Sequence, residues 1–160
     1  MTECFDATGI SKRNLNLKTT EVKVASGAML RILKMDVYEV LNSECVVYIH
    51  VNKSNRKCYI GATINSASYR FENGRGYKSQ RAFSSAIRYH GWDIFDSYII
   101  AFTDNREQLN KVESQAIQHI GGHRHHGNYN MSPGGEIVSD NGKPIVAVHL
   151  PTLEETYYSS

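Results

Sequence analysis

The sequence predicts an α/β domain, a small sheet of three strands flanked by helices over residues 45–135, with an N-terminal extension at 1–44 and a hairpin or linker at 136–160. Three observations predict it. Val46-Val47-Tyr48-Ile49-His50-Val51 and Cys58-Tyr59-Ile60 are β-branched and aromatic runs joined by Asn52-Lys53-Ser54-Asn55-Arg56-Lys57, which is turn-forming and has no apolar residue. A third such run, dense in Tyr98, Ile99, Ile100 and Phe102, falls at 94–102. Elsewhere apolar residues recur at helical spacing, as Phe83, Ala86, Ile87 and His90, and as Leu109, Val112, Ala116, Ile117 and Ile120. A chain of 160 residues suits one domain with appendages, and 41% apolar content is ordinary for a globular protein.

Each element has its local reason. Residues 1–21 are polar with little apolar period and read as a loose leader. Within 22–41 the reading stays open: Val22-Lys23-Val24 alternates like a strand, Ser26-Gly27 fits a turn, and 29–41 fits a strand or a helix. The tyrosine hairpin follows at 46–62. A short helix at 64–72 carries Arg70 and is broken by Glu72-Asn73-Gly74-Arg75-Gly76. Residues 79–90 form a helix that Gly91 stops. After the third strand, Asp104 with Glu107 forms a capping box, and the helix it opens runs to Ile120, where Gly121-Gly122 ends it. Residues 137–150 read as a hairpin turning at Asn141-Gly142. The chain then stops on Tyr157-Tyr158-Ser159-Ser160 with no evident closing element.

Bulk properties narrow the setting. No run of 18 apolar residues occurs, so no membrane span is expected. The start Met-Thr-Glu-Cys-Phe-Asp lacks the basic-then-apolar order of a secretory signal. Three cysteines without CxxC spacing argue against a disulfide framework and for a reducing, cytoplasmic location. Overall charge is +2, but residues 53–88 hold eight basic residues against Glu72, a net +7, which leaves the remainder at −5. A charge run alone fits a solvated surface. Its overlap with the tyrosine hairpin favours a polyanion, and Lys53, Arg56, Lys57, Arg75, Lys78, Arg81 and Arg88 become candidate DNA contacts.

Tyr48, Tyr59-Ile60-Gly61, Arg70, Glu113 and Tyr129-Asn130-Met131-Ser132-Pro133-Gly134-Gly135 follow one another in an order that resembles the GIY-YIG nuclease family. The resemblance covers about Cys45 to Gly135. It implies a small three-stranded antiparallel sheet flanked by helices, and cleavage of phosphodiester bonds in DNA with one divalent ion, Mg²⁺ or Mn²⁺. It makes Tyr48 and Tyr59 the paired phenols, Arg70 the helix arginine, Glu113 the metal ligand and Asn130 a supporting asparagine. The first segment lacks the usual glycine. Where many members carry a histidine a turn after the arginine, this chain has Asn73 or Gly74, and Tyr77 and Lys78 are the nearest substitutes. The likeness is to homing-type enzymes of phage and mobile elements, and Lys143-Pro144-Ile145-Val146-Ala147-Val148 resembles the start of a DNA-binding module that such enzymes carry downstream. The alternative is a module of the same fold that binds nucleic acid and has lost catalysis.

Chemistry gives each residue a reason and a competitor. Glu113 shares a helix face with Leu109, Ala116, Ile117 and Ile120, so its carboxylate lies inward or at a cleft edge, where it offers a hard oxygen to Mg²⁺ or an ion-pair partner to a base. Arg70 offers an always charged fork for phosphate oxygens, or is an ordinary surface arginine. A phenol ionises near pH 10, so Tyr48 as a base needs a cation beside it, and Arg70 is the candidate. Strand tyrosines more often simply pack. Asn130 suits loop fixing better than chemistry. His119, His123, His125 and His126 lack the paired spacing of a zinc site and read as phosphate contacts or plain exposed residues.

Overall fold

The computed structural model of this protein describes residues 4–5, 19–34, 36–42, 45–103, 105–134, 145–149 and 154–158. The strands are β1 (Cys4–Phe5), β2 (Thr19–Lys23), β3 (Met29–Leu33), β4 (Val46–Asn52), β5 (Cys58–Thr63), β6 (Phe95–Phe102), β7 (Ile145–His149) and β8 (Glu154–Tyr158). The helices are α1 (Val37–Asn42), α2 (Ala67–Phe71), α3 (Arg81–His90) and α4 (Arg106–His119), with 3₁₀ turns at Glu72–Tyr77 and Trp92–Ile94.

The α/β class holds, and the strand count is corrected. The main sheet has six strands in the order β1-β3-β6-β4-β5, with β2 paired to β3. All pairs are antiparallel except β1 with β3. The three strands read from the sequence are the neighbours β5, β4 and β6. The additional ones come from the extension, where the open reading of 22–41 resolves into two strands and a short helix. Gly27, at φ +88°, makes the β2–β3 turn possible, and its N–H donates to Val24 O at 2.9 Å. Residues 19–23 therefore belong to the sheet and not to a leader.

β4 sits between β5 and β6 and is buried at all seven positions, because helices cover both sheet faces. Its side chains alternate between two cores. Val47, Ile49 and Val51 join Ile60 and the α4 residues Leu109, Val112, Ala116 and Ile117. Tyr48 joins Tyr59, Phe71, Tyr77 and Phe83 on the side of α2 and α3.

Helix ends follow local chemistry. α2 is shorter than the 64–72 expected, and Glu72, Asn73 and Gly74 leave it through left-handed φ values of 38°, 52° and 87°. α3 ends at Gly91, φ 84°, whose N–H donates to Ile87 O at 2.8 Å. The capping box is corrected: Asn105 is the N-cap of α4, and its Oδ1 accepts from the Glu107 and Gln108 amides at 2.8 and 3.3 Å. Asp104 lies outside the described residues. β7 pairs antiparallel with β8, from Ile145 opposite Tyr158 to His149 opposite Glu154. Asn141-Gly142 lies outside the described residues. No helix among the described residues is long and apolar enough to cross a membrane.

Candidate functional site

The β4–β5 register sets the site. Tyr48 stands opposite Gly61, and His50 opposite Tyr59. The Tyr48 ring is fully buried and lies across β5, so close that a β-carbon on Gly61 would come 2.5 Å from its hydroxyl. Gly61 is thus a steric requirement of Tyr48, which is a physical reason for tyrosine and glycine to occur together.

α2 brings Arg70 to this phenol. Its Nε donates to Tyr48 Oη at 3.1 Å, its Nη1 donates to Gly76 O at 2.5 Å, and its guanidinium lies 4.7 Å from the centre of the Tyr77 ring. Two hydrogen bonds and one cation–π contact hold a half-buried cation in one place. Burial raises Tyr48 above the usual tyrosine value, and Arg70 pulls it down without cancelling that rise. Burial raises Tyr59 as well, with Tyr48 adding to the effect. Both phenols are therefore neutral at neutral pH and serve as hydrogen-bonding hydroxyls. Tyr59 is stacked on Phe83 at 4.5 Å, with ring planes 2° apart.

Glu113 approaches from α4, on the other face of the sheet. Its charge adds to the upward push on both Tyr48 and Tyr59, so the three groups share one field. The segment ending at Gly134 packs on it: a β-carbon at Gly134, φ +77°, would stand 3.2 Å from Glu113 Cγ and Cδ. A single hard carboxylate fits Mg²⁺ or Mn²⁺, which complete their shell with waters and phosphate oxygens, and does not make a zinc cage. Among the described residues no group of three or more His, Cys, Asp or Glu could hold a metal by itself.

Tyr77 is buried beside this set. Its hydroxyl lies 2.6 Å from His50 Nε2, and its ring meets that of Tyr48 edge-on with centroids 6.5 Å apart. His50 Nδ1 lies 2.7 Å from Ser97 Oγ. Burial lowers His50 to about 3, so the ring is neutral. Sequence reasoning missed His50. The available signal was a titratable residue inside an otherwise apolar strand, two positions from Tyr48 and hence on the same face.

Asn130 is a fixing residue. Its Oδ1 accepts from Ile60 N at 3.0 Å and its Nδ2 donates to Ile60 O at 2.7 Å, which uses both ends of the amide on β5. Tyr129 N donates to Cys58 O at 2.8 Å beside it. The histidines are engaged separately: His119 Nε2 lies 2.7 Å from Met29 O, and His125 Nδ1 accepts from Gly127 N at 2.9 Å.

The basic residues divide. Arg75, Lys78, Arg81 and Arg88 are exposed and line a shallow depression of about 670 Å³ with Ser84 and Ser85. Arg81, Ser84, Ser85 and Arg88 are one face of α3, opposite the face that buries Phe83. Arg56 is spent elsewhere: its Nε and Nη2 donate to Lys23 O at 3.1 and 2.9 Å, and its own carbonyl accepts from Ala25 N. It clamps the β2–β3 turn. Lys53 faces Asp96 at 4.0 Å, and Lys57 does not line the depression.

No family model, curated protein or solved structure matches this chain. The functional reading therefore rests on the chemistry of the site.

Proposed function

We propose that this protein is a metal-dependent DNA endonuclease of the GIY-YIG kind that hydrolyses phosphodiester bonds. The observation that carries the reading is a permanent cation, Arg70, fixed against a buried phenol whose ring needs Gly61 beneath it, with the Glu113 charge acting on the same phenols. Phosphodiester hydrolysis asks for positive charge at the phosphoryl oxygens, an oriented water and help for the departing oxygen. Arg70 supplies the first in a preset orientation. Tyr48 and Tyr59 supply neutral hydroxyls that orient water or phosphate. Glu113 would hold Mg²⁺ or Mn²⁺, which lowers the pKa of a bound water and offsets charge on the departing oxygen. The four bases of the α3 depression would take neighbouring phosphates of DNA, a contact that positions without reading sequence.

The second reading, a binding module without catalysis, is favoured by the complete burial of Tyr48. A nicking assay on supercoiled plasmid separates the two. Wild-type protein with Mg²⁺ or Mn²⁺ is expected to nick, while Glu113→Gln stops nicking and leaves DNA affinity nearly unchanged. Binding without nicking by the wild type would leave the module.

A further inference from the structure

We propose that the basic depression between α3 and residues 72–78 is a subsite for a DNA phosphate remote from the cut, and that filling it sets the position of Arg70. The inference rests on the nuclease reading and deepens it: it makes a contact away from the cut part of catalysis. One wall of the depression is Asn73, Gly74, Arg75 and Lys78, and the other is the α3 face of Arg81 and Arg88. Both walls are basic, and no acid lines either. Among the described residues no carboxylate pairs with these four cations, and Arg88 is engaged by donating to Ser85 Oγ at 3.4 Å. The same segment holds Arg70. Arg70 Nη1 donates to the carbonyl oxygen of Gly76, the residue after Arg75. A β-carbon at Gly76 would overlap the backbone carbonyl oxygen of Arg70, so the segment and the end of α2 also meet at the backbone. Tyr77 follows, and its ring centre lies 4.7 Å from the Arg70 guanidinium. Two of the contacts that fix this guanidinium therefore come from residues 76 and 77, in a stretch whose other side is the depression.

Electrostatics gives the coupling its sign. Four cations round one depression repel each other while it is empty, and a phosphate between them replaces that repulsion with attraction. The α3 wall is fixed, because Phe83 and Ala86 anchor that helix in the core. The wall that can yield is 72–78. It leaves α2 through three left-handed residues, Glu72, Asn73 and Gly74, at φ 38°, 52° and 87°. Glu72 and Asn73 carry a β-carbon, which disfavours that region. Such a turn keeps its shape only where its surroundings hold it. Gly74 supplies one hold, since it packs so closely that a β-carbon there would stand 3.0 Å from Ile87 Cγ2 and Trp92 Cε3. A phosphate bridging Arg75 and Lys78 to Arg81 and Arg88 supplies another, and it draws Gly76 and Tyr77 with it. A depression that served affinity alone would need no tie to Arg70. Arg75 and Lys78 are thus positioning residues that act on the cut through Arg70. Binding energy from a remote part of the substrate is spent on orienting charge at the reacting phosphate.

The test uses the full chain. Inorganic phosphate is titrated in without metal at constant ionic strength, with two readouts. One is the fluorescence of Trp92, the single tryptophan, which packs on Gly74. The other is the NMR signal of the Arg70 Nε–H, which donates to Tyr48 Oη. Saturable changes in both are expected for the wild type and in neither for Arg75→Ala, a change at an exposed residue. A phosphate that met Arg70 directly would still shift the Nε–H signal in Arg75→Ala. That result overturns the coupling, as does a wild-type Arg70 signal that does not respond. Cleavage splits rate from affinity. With supercoiled plasmid saturating and Mg²⁺ present, Arg75→Ala is expected to be slowed by roughly 10-fold, short of the about 10²-fold that a misplacement of about 1 Å costs. Arg75→Lys is expected to regain most of that rate. Arg88→Ala, on the fixed wall, is expected to bind more weakly and to match the wild type once saturated. Equal saturated rates for the wild type and Arg75→Ala overturn the coupling and leave the nuclease standing. A wild type that does not cleave, while phosphate still moves the Arg70 signal through Arg75, overturns the nuclease and leaves the subsite.

Discussion

One sheet carries two unlike cores. Facing α4, Val47, Ile49, Val51 and Ile60 meet Leu109, Val112, Ala116 and Ile117, an aliphatic layer with no side-chain hydroxyl or ring nitrogen among them. Facing α2 and α3, Tyr48, His50, Tyr59 and Tyr77 lie among Phe71, Phe83 and Trp92. β4 feeds both, alternating residue by residue. The first layer gains from burial alone. The second must also satisfy each polar atom it buries, because an unpaired one costs about 1–3 kcal/mol, and it does so through the Arg70–Tyr48 and Tyr77–His50–Ser97 hydrogen bonds. On the proposed nuclease reading stability and chemistry fall on opposite faces, with the Glu113 charge reaching both Tyr48 and Tyr59 from the α4 side.

Paired truncations give the largest test of that division. Phe83→Ala removes the ring that stacks on Tyr59 and is expected to cost about 3–5 kcal/mol, and Leu109→Ala about 2–5 kcal/mol. Denaturant melts give the stabilities, and cleavage is then compared per folded molecule. Leu109→Ala should keep its specific rate while Phe83→Ala loses much of it. Equal losses from both would break the comparison. Next comes Arg70→Ala, expected to slow cleavage by about 10²-fold or more, the usual worth of one oriented charge-stabilising group. Arg88→Ala, on the exposed face of α3, should mainly lower DNA affinity and its salt slope. Similar small effects from the two variants would reduce Arg70 to one base among several. The smallest effect is steric. Gly61→Ala forces a β-carbon against the Tyr48 hydroxyl and is expected to cost about 1–3 kcal/mol. Adding Tyr48→Phe, which deletes that hydroxyl, should recover part of the loss in a double-mutant cycle. Strict additivity would mean that the two residues do not constrain each other.

The sequence made some of this legible and hid the rest for physical reasons. β4, β5 and β6 are dense in β-branched and aromatic residues, and α3 and α4 carry clear apolar stripes, so local pattern found them. β2 buries only Val22 of its five residues and shows no alternation. Asp104 and Asn105 are both good caps, and the choice between them depends on which side chain reaches the Glu107 and Gln108 amides. Within the site, Tyr48, Tyr59, Arg70 and Glu113 could be named from residue type and order. His50 stood out only as a titratable residue in an apolar strand, and its partners Tyr77 and Ser97, 27 and 47 residues away, were not legible. Arg56 was indistinguishable from its basic neighbours until its bonds to Lys23 O could be seen.

The amide of Asn130 has a consequence outside chemistry. β5 is the last strand of its sheet, and an unpaired edge strand is a template for the edge of another molecule. By accepting from the N–H and donating to the C=O of Ile60, while Tyr129 takes the carbonyl of Cys58, this loop imitates a further strand just long enough to end the ladder. Asn130 thereby guards the protein against growing by sheet addition, and it does so at the strand that carries Tyr59 and Gly61.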